Sequence, residues 1–141
     1  MRRRQFLGFL AGVLSVVVPG GARWSSVAGT ARAADGLGDR QLARRLIGLL
    51  RARSKAGLLG KMVLWRRSVT PTTAELVEQV LPDWTQAQRS GSRKWQLRRA
   101  VKARVSADFA ALRMVNVGGW LLSRTEANVA VLAALERSPP G

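Results

Sequence analysis

The distribution of charge along the chain limits how much of it can form a folded domain. All eight acidic residues lie at or after Asp35, whereas every charged residue before that position is an arginine. The chain therefore divides into a purely cationic leader and a remainder of roughly 100 residues, which is enough for one small hydrophobic core. Cys, His and Tyr are absent, so neither disulfides nor thiolate or imidazole chemistry can operate, and stability must come from packing.

The amino-terminal segment has the anatomy of an export signal. Arg3 and Arg4 are followed by Phe6 and Leu7, and an uncharged apolar run continues to Val18. This run is much shorter than the roughly 20 residues that a transmembrane helix needs, which favours a removable signal peptide over an anchor. The segment resembles the twin-arginine signal peptide, whose motif is Arg-Arg-x-Phe-Leu. That resemblance implies export of a folded cargo, alone or attached to a folded partner; an ordinary secretory signal is the alternative.

Small residues after the apolar run supply the expected cleavage site. Ala31 and Ala33 fit the small-x-small pattern that signal peptidase reads, which places cleavage after Ala33, and residues 26–28 form a second candidate. We therefore expect a signal peptide over 1–33, a linker over 34–38, a single helical domain over 39–137 and a tail over 138–141. The expected location is periplasmic or secreted, with the twin-arginine (Tat) translocase and signal peptidase as partners during export.

Apolar periodicity predicts two helices in the first part of the domain. The first begins with Asp39 as its N-cap. The second follows Ser54 and is weakly interrupted by Gly57 and Gly60. Its predicted apolar face consists of Leu58, Leu59, Met62, Val63 and Trp65.

The third predicted helix begins at one of two threonines and ends before a proline. Thr70 precedes a proline suited to the first helical turn, whereas Thr72 and Glu75 have the spacing of a capping box. Pro82 ends the helix, because proline disfavours helical geometry at the residue before it. Its predicted buried face consists of Leu76, Val77, Val80 and Leu81.

The fourth predicted helix combines a regular apolar stripe with dense positive charge. The polar segment 83–93, which Trp84 attaches to the domain, is predicted as a loop before it. Its core-facing stripe recurs at four-residue steps and consists of Leu97, Val101, Val105 and Phe109. The other side carries Arg104 and a set of cations that we call the basic ridge, a candidate surface for an anion or a partner: Arg93, Lys94, Arg98, Arg99 and Lys102.

A β-hairpin and a capped helix are predicted at the carboxyl end. Gly118 and Gly119 supply the positive φ angles of a two-residue turn, which places a hairpin at about 114–122, held against the helices by Trp120. Ser123 and Glu126 have the spacing of a capping box that starts the last helix. The sequence therefore predicts a mostly α fold, a small bundle of four to five helices with a hairpin before the last one.

The carboxyl-terminal pattern resembles that of a group of small exported bacterial proteins. The residues that carry this resemblance are Asp108, Phe109 and the segment 117–127, which match Asp-Phe followed by Val-Asp-Gly-Trp-x-Leu-Ser-x-Thr-Glu-Ala. Gly118 stands where those proteins have Asp. The resemblance runs over residues 54–135. It implies the same architecture and export, and it assigns no catalytic residue.

The composition favours a non-catalytic protein without cofactor or metal. Asp108 and Glu126 flank the predicted hairpin, but Glu126 is assigned to the helix cap and Asp108 to an ion pair with Arg104 one turn earlier. The leading hypothesis is an exported accessory or interaction protein, such as a small subunit of a larger Tat-exported periplasmic enzyme. The alternative is an envelope protein whose basic ridge binds anionic lipid or lipopolysaccharide. Nucleic acid is not an expected partner, because export separates the protein from it.

Overall fold

The computed structural model of the protein describes residues 32–137, and over that range the chain forms six helices and one two-stranded antiparallel sheet. The elements in chain order are α1 (Arg32–Ile47), α2 (Arg53–Trp65), α3 (Thr73–Val80), α4 (Gln86–Gly91), α5 (Lys94–Ala110), β1 (Met114–Val117), β2 (Trp120–Ser123) and α6 (Arg124–Arg137). The predicted mostly helical fold with a hairpin before the last helix is confirmed. The helix that the prediction lacked is α4.

Helix α6 forms the centre of the core. Its residues 125–134 are all buried, so the helix is covered around its whole circumference. Alanine and valine dominate this segment, and such small side chains let neighbouring elements approach on every side. Helices α1, α2, α3 and α5 and both strands pack against it. The fold is therefore a layer of elements around one helix.

Helix α2 approaches α6 so closely that position 60 requires glycine. A Cβ atom on Gly60 would lie 2.0 Å from the carbonyl oxygen of Ala130, far inside contact distance. The two glycines that were predicted to interrupt α2 instead lie on its buried face, which consists of Ala56, Gly57, Leu59, Gly60 and Val63. The small residues of both helices make this close packing possible.

The amino-terminal part of the domain differs from the prediction in two places. Helix α1 begins at Arg32, so residues 34–38 are helical rather than a linker, and Asp39 lies inside the helix rather than at its N-cap. The segment 83–93 is not a continuous loop, because it contains α4. The N-cap of α4 is Thr85, whose Oγ1 accepts a hydrogen bond from the backbone N–H of Gln88 at 3.3 Å. The Thr-x-x-Gln spacing was the sequence signal for this helix.

A largely buried arginine attaches α4 to α1 and α3. Arg89 has a side chain that is only 14% exposed; it pairs with Glu78 of α3 and lies 3.9 Å from the carboxylate of Asp39 in α1. Its Nε also donates to the carbonyl oxygen of Trp84 at 3.0 Å. A second contact joins α4 to α1, because Nη1 of Arg45 in α1 donates to the carbonyl oxygen of Arg89 at 3.0 Å. Asp39 is therefore part of a tertiary contact, which explains its burial.

The predicted faces of α3 and α5 are largely confirmed. The N-cap of α3 is Thr72 rather than Thr70. Its Oγ1 accepts from the backbone N–H of Glu75 at 3.2 Å, and its own N–H donates to Oε2 of Glu75 at 2.7 Å. Leu76, Val77, Val80 and Leu81 are fully buried, and Leu97, Val101 and Val105 of α5 are buried. Phe109 is only partly buried against the core.

The hairpin has the predicted turn. Gly118 and Gly119 have φ angles of +56° and +81°, the left-handed conformation that a two-residue turn of this kind needs. Val117 pairs with Trp120 across the turn, and Trp120 packs partly buried against the core. Val117 and Leu122 are fully buried, so the inner face of the ribbon joins the core around α6.

Candidate functional site

A buried carboxylate from the end of α5 holds the start of α6. Asp108 is 1% exposed, and its Oδ2 accepts hydrogen bonds from the backbone N–H and from the hydroxyl of Thr125, both at 2.7 Å. Its Oδ1 accepts from Nε of Arg113 at 2.9 Å. The predicted pair between Asp108 and Arg104 is therefore wrong. The buried Nε of Arg104 makes no hydrogen bond within the described part of the chain.

The predicted capping box at the same helix end is confirmed. The backbone N–H of Ser123 donates to Oε2 of Glu126 at 2.8 Å, and the N–H of Glu126 donates to Oγ of Ser123 at 3.0 Å. Both residues are buried. Asp108 and Ser123 thus give the amides of Thr125 and Glu126 side-chain acceptors, and the amide of Arg124 donates to the carbonyl oxygen of Arg113 at 2.9 Å, so the buried helix end has the acceptors that it requires.

The two carboxylates at this helix end have pKa values shifted in opposite directions. Burial by itself would raise the pKa of Asp108, but hydrogen bonds from Thr125 and Arg113 outweigh burial, and the pKa lies below the ordinary aspartate value. Burial raises the pKa of Glu126 despite its bonds from Ser123, and the nearby charge of Asp108 adds to the rise. Divergent pKa values also occur in catalytic acid–base pairs. Here Asp108 accepts from Thr125 in the first turn of α6 and Glu126 accepts from Ser123 just before it, so the geometry gives both groups a structural role.

The basic ridge lies on the solvent side of α5, and one aromatic residue lies within it. Arg93, Lys94, Arg98 and Arg99 are exposed, and Lys102 is partly buried. Trp95 is 58% exposed and precedes Arg99 by one helical turn, so both share a face with Lys102. The structure therefore brings the predicted candidate residues together on one surface and adds an aromatic side chain to it.

A second surface feature was missed by sequence reasoning. Leu58, Met62 and Trp65 are 64%, 45% and 92% exposed, and their i, i+4, i+7 spacing places them on one face of α2. We call these three residues the α2 stripe. Sequence reasoning placed them in one apolar group with Leu59 and Val63, but the structure divides this group, because the opposite face of α2, which carries Leu59 and Val63, packs on α6. A Cβ on Gly118 would lie 2.8 Å from the terminal methyl group of Met62, so the stripe borders the hairpin turn.

Several sequence-based predictions fall on other parts of the chain. The signal motif of Arg3, Arg4, Phe6 and Leu7, the residue Ala31 and the tail 138–141 lie outside the described residues, whereas Ala33 lies in the first turn of α1. Within residues 37–137, no group of acidic side chains has an arrangement that could hold a metal ion. None of the described helices combines the length and apolar character needed to cross a membrane.

Comparison with known proteins gives no match to this chain. No family model matches the sequence, no curated protein is significantly similar to it, and no solved structure is significantly similar to its fold.

Proposed function

We propose that the protein is an exported, non-catalytic interaction subunit that docks through the α2 stripe onto a larger periplasmic protein. The observation that carries this proposal is the 92% exposure of Trp65 beside the exposed side chains of Leu58 and Met62. Clustered large apolar side chains on a surface mark interaction sites, and tryptophan is enriched among the residues that contribute most to binding. The close packing of α2 on α6 holds the stripe in a fixed position, which reduces the entropy lost on docking.

The charges around the stripe indicate the kind of surface that the partner presents. Lys55, Lys61 and Arg66 are exposed on and beside α2, and the chain from Asp35 onward contains 19 Lys and Arg residues against 8 acidic ones. A complementary partner has an apolar groove with an acidic rim. The resemblance of the leader to twin-arginine signals supports a meeting place outside the cytoplasm, either after export or through joint export of the folded pair.

Site-specific photo-crosslinking in cells tests the docking face. A photoreactive residue at Lys61 should give one dominant adduct with an acidic exported protein, whereas the same residue at the exposed Ser106 of α5 should not. Replacing all three α2 stripe residues by serine should remove the adduct while the circular dichroism spectrum stays unchanged, because these side chains are outside the core. An adduct that survives this replacement, or that forms equally at Ser106, contradicts the proposal.

Fractionation tests the proposed export separately. The unmodified protein should be recovered from the periplasm without its leader, and the Arg3→Lys/Arg4→Lys double variant should accumulate in the cytoplasm. Accumulation of the intact, unmodified chain as a soluble cytoplasmic protein would refute export.

A second candidate function is binding to anionic envelope lipids through the basic ridge. The specific observation in its favour is the exposure of Trp95 beside Arg99 on the same helix face. Tryptophan places its apolar ring at the membrane interface while neighbouring cations meet anionic headgroups. In co-sedimentation with phosphatidylglycerol vesicles, an Arg98→Gln/Arg99→Gln/Lys102→Gln variant should lose binding, and serine replacement of the α2 stripe should not. Binding that is insensitive to salt contradicts this candidate.

A further inference from the structure

Three arginines from distant parts of the sequence line one open depression. The depression has a volume of about 420 Å³ and lies between the segment after α2, the end of α3, the connection from α5 to β1 with β1 itself, and the first turn of α6. Its cations are Arg67, Arg113 and Arg124, and we call it the arginine pocket. The rest of the lining consists of Gln79, Leu112, Met114 and Val115. Its size is within the range of small-molecule sites.

The charges in the arginine pocket are only partly compensated. Arg113 pairs with Asp108 at 2.9 Å. Arg67 donates from Nη2 to a neutral acceptor, Oδ1 of Asn128, at 2.8 Å. In the part of the chain that the structure describes, neither Arg67 nor Arg124 forms an ion pair. Burial, together with repulsion from Arg124, lowers the pKa of Arg67, as expected where like charges lie close together.

Two of the three guanidinium groups of the pocket are held in place before any ligand arrives. Asn128, which accepts from Arg67, itself donates from Nδ2 to Oε1 of Gln79 at 3.0 Å. The guanidinium of Arg113 is fixed in the same way by the buried Asp108. Arg124 is the first residue of α6, and its side chain is exposed. An anion in this pocket would thus meet two preorganised guanidinium groups, those of Arg67 and Arg113, which lowers the entropic cost of binding.

We propose that the arginine pocket binds a phosphate monoester. Such a group carries about 1.5 to 2 negative charges at pH 7 and three strong acceptor oxygens, which matches two uncompensated guanidinium groups. A carboxylate would neutralise only one of them. Guanidinium groups also bind phosphate oxygens in the paired geometry that arginine favours. The apolar wall of Leu112, Met114 and Val115 is then available for the carbon portion of the ester. This site is separate from the α2 stripe and does not depend on it.

Calorimetric titration of the full chain tests this assignment. Glycerol phosphate and inorganic phosphate should both bind, and acetate at the same ionic strength should bind at least about tenfold more weakly. Arg124→Gln should weaken phosphate binding by about tenfold or more. This variant is expected to fold, because within the described residues the Arg124 side chain makes no hydrogen bond or ion pair. Arg67→Gln is a second variant that should also weaken phosphate binding. The matched control is Arg99→Gln on the basic ridge, which removes the same charge and should change affinity by less than about twofold.

Vesicles distinguish the two sources of a phosphate monoester. A preference for phosphatidic acid over phosphatidylglycerol that Arg124→Gln removes would support the proposal and assign a lipid source. Binding of glycerol phosphate without such a preference would support a small soluble ester. The proposal is overturned if neither phosphate source binds, if acetate binds as tightly as phosphate, or if Arg99→Gln weakens phosphate binding as much as Arg124→Gln does.

Discussion

The Gly60→Ala substitution should destabilise the protein although alanine is the better helix former. In a helix interior this change favours alanine by up to about 1 kcal/mol. The added Cβ would lie 2.0 Å from the carbonyl oxygen of Ala130, whereas real Cβ atoms essentially never approach closer than 3.0 Å. The obstacle is the backbone of the central helix, so α2 must move outward by roughly 1 Å. Overpacking costs about 1–3 kcal/mol, and we expect a net loss of about 2 kcal/mol because a backbone cannot rotate away.

Gly57→Ala is the matched control, since it makes the same change on the same buried face. Its Cβ would meet Cδ of Arg137 at 3.3 Å, which is part of a flexible side chain. We therefore expect Gly57→Ala to stabilise the protein by roughly 0.5–1 kcal/mol. Thermal unfolding followed by circular dichroism measures both effects: Gly60→Ala should lower Tm by roughly 8–16 °C, and Gly57→Ala should raise it. Shifts of the same sign and similar size for the two variants would refute the close approach of α2 and α6.

Three further predictions concern the buried charged groups. Because the folded pKa of Glu126 is raised, its contribution to stability is present below its unfolded pKa of about 4.3 and is lost as pH rises through the folded value. Glu126→Gln, which keeps the cap, should therefore reduce the loss of urea stability as pH rises above the unfolded pKa. The folded pKa of Asp108 is lowered, so its contribution is present above its unfolded pKa and is lost as pH falls through the folded value. Asp108→Asn should cost about 2 kcal/mol at pH 7 by urea unfolding, with a smaller deficit in acid. Arg89→Ala should lower the free energy of unfolding by about 2 kcal/mol, because it removes part-buried hydrogen bonds to the carbonyl oxygens of Trp84 and Leu81. The control Arg66→Ala removes only an exposed hydrogen bond and should cost less than about 1 kcal/mol in thermal unfolding. Equal losses would contradict the attachment of α4 by Arg89.

The sequence correctly predicted those elements whose hydrogen bonds form between residues close together in the chain. The hairpin follows from two adjacent glycines between β-favouring segments, and the start of α6 follows from the spacing of Ser123 and Glu126. The same spacing rule would have found α4 from Thr85 and Gln88, had the segment not also contained turn-forming residues. Short-range hydrogen bonds of this kind are encoded within four residues, so the sequence is sufficient to place them.

Contacts between distant segments could not be predicted in this way. A carboxylate one turn after Arg104 is expected to pair with it, but Asp108 instead meets Arg113 and the start of α6, because the chain reverses direction in the hairpin. The arginine pocket depends on residues that are distant in sequence, among them Arg67, Gln79 and Arg124. Periodicity says which residues share a helix face, and it does not say which other helix meets that face.

In helix α2, the sequence does not determine which of two faces is buried, and the face that stays exposed is the one proposed to bind a partner. The helix has two opposite faces, one of small residues around Gly60 and one of large apolar residues that includes Trp65, and either could have been the buried one. Close approach to the central helix selects the small face and leaves the large one in water. The core therefore gains nothing from a large side chain at Trp65, and polar residues there would improve solubility at no cost to the fold. A large apolar surface that the core does not use is best explained by a contact outside this chain, so serine replacement of the α2 stripe should change binding strongly. The same replacement should lower stability by only about 1 kcal/mol, because serine is a poorer helix former than leucine or methionine and Met62 is half-buried beside the hairpin turn.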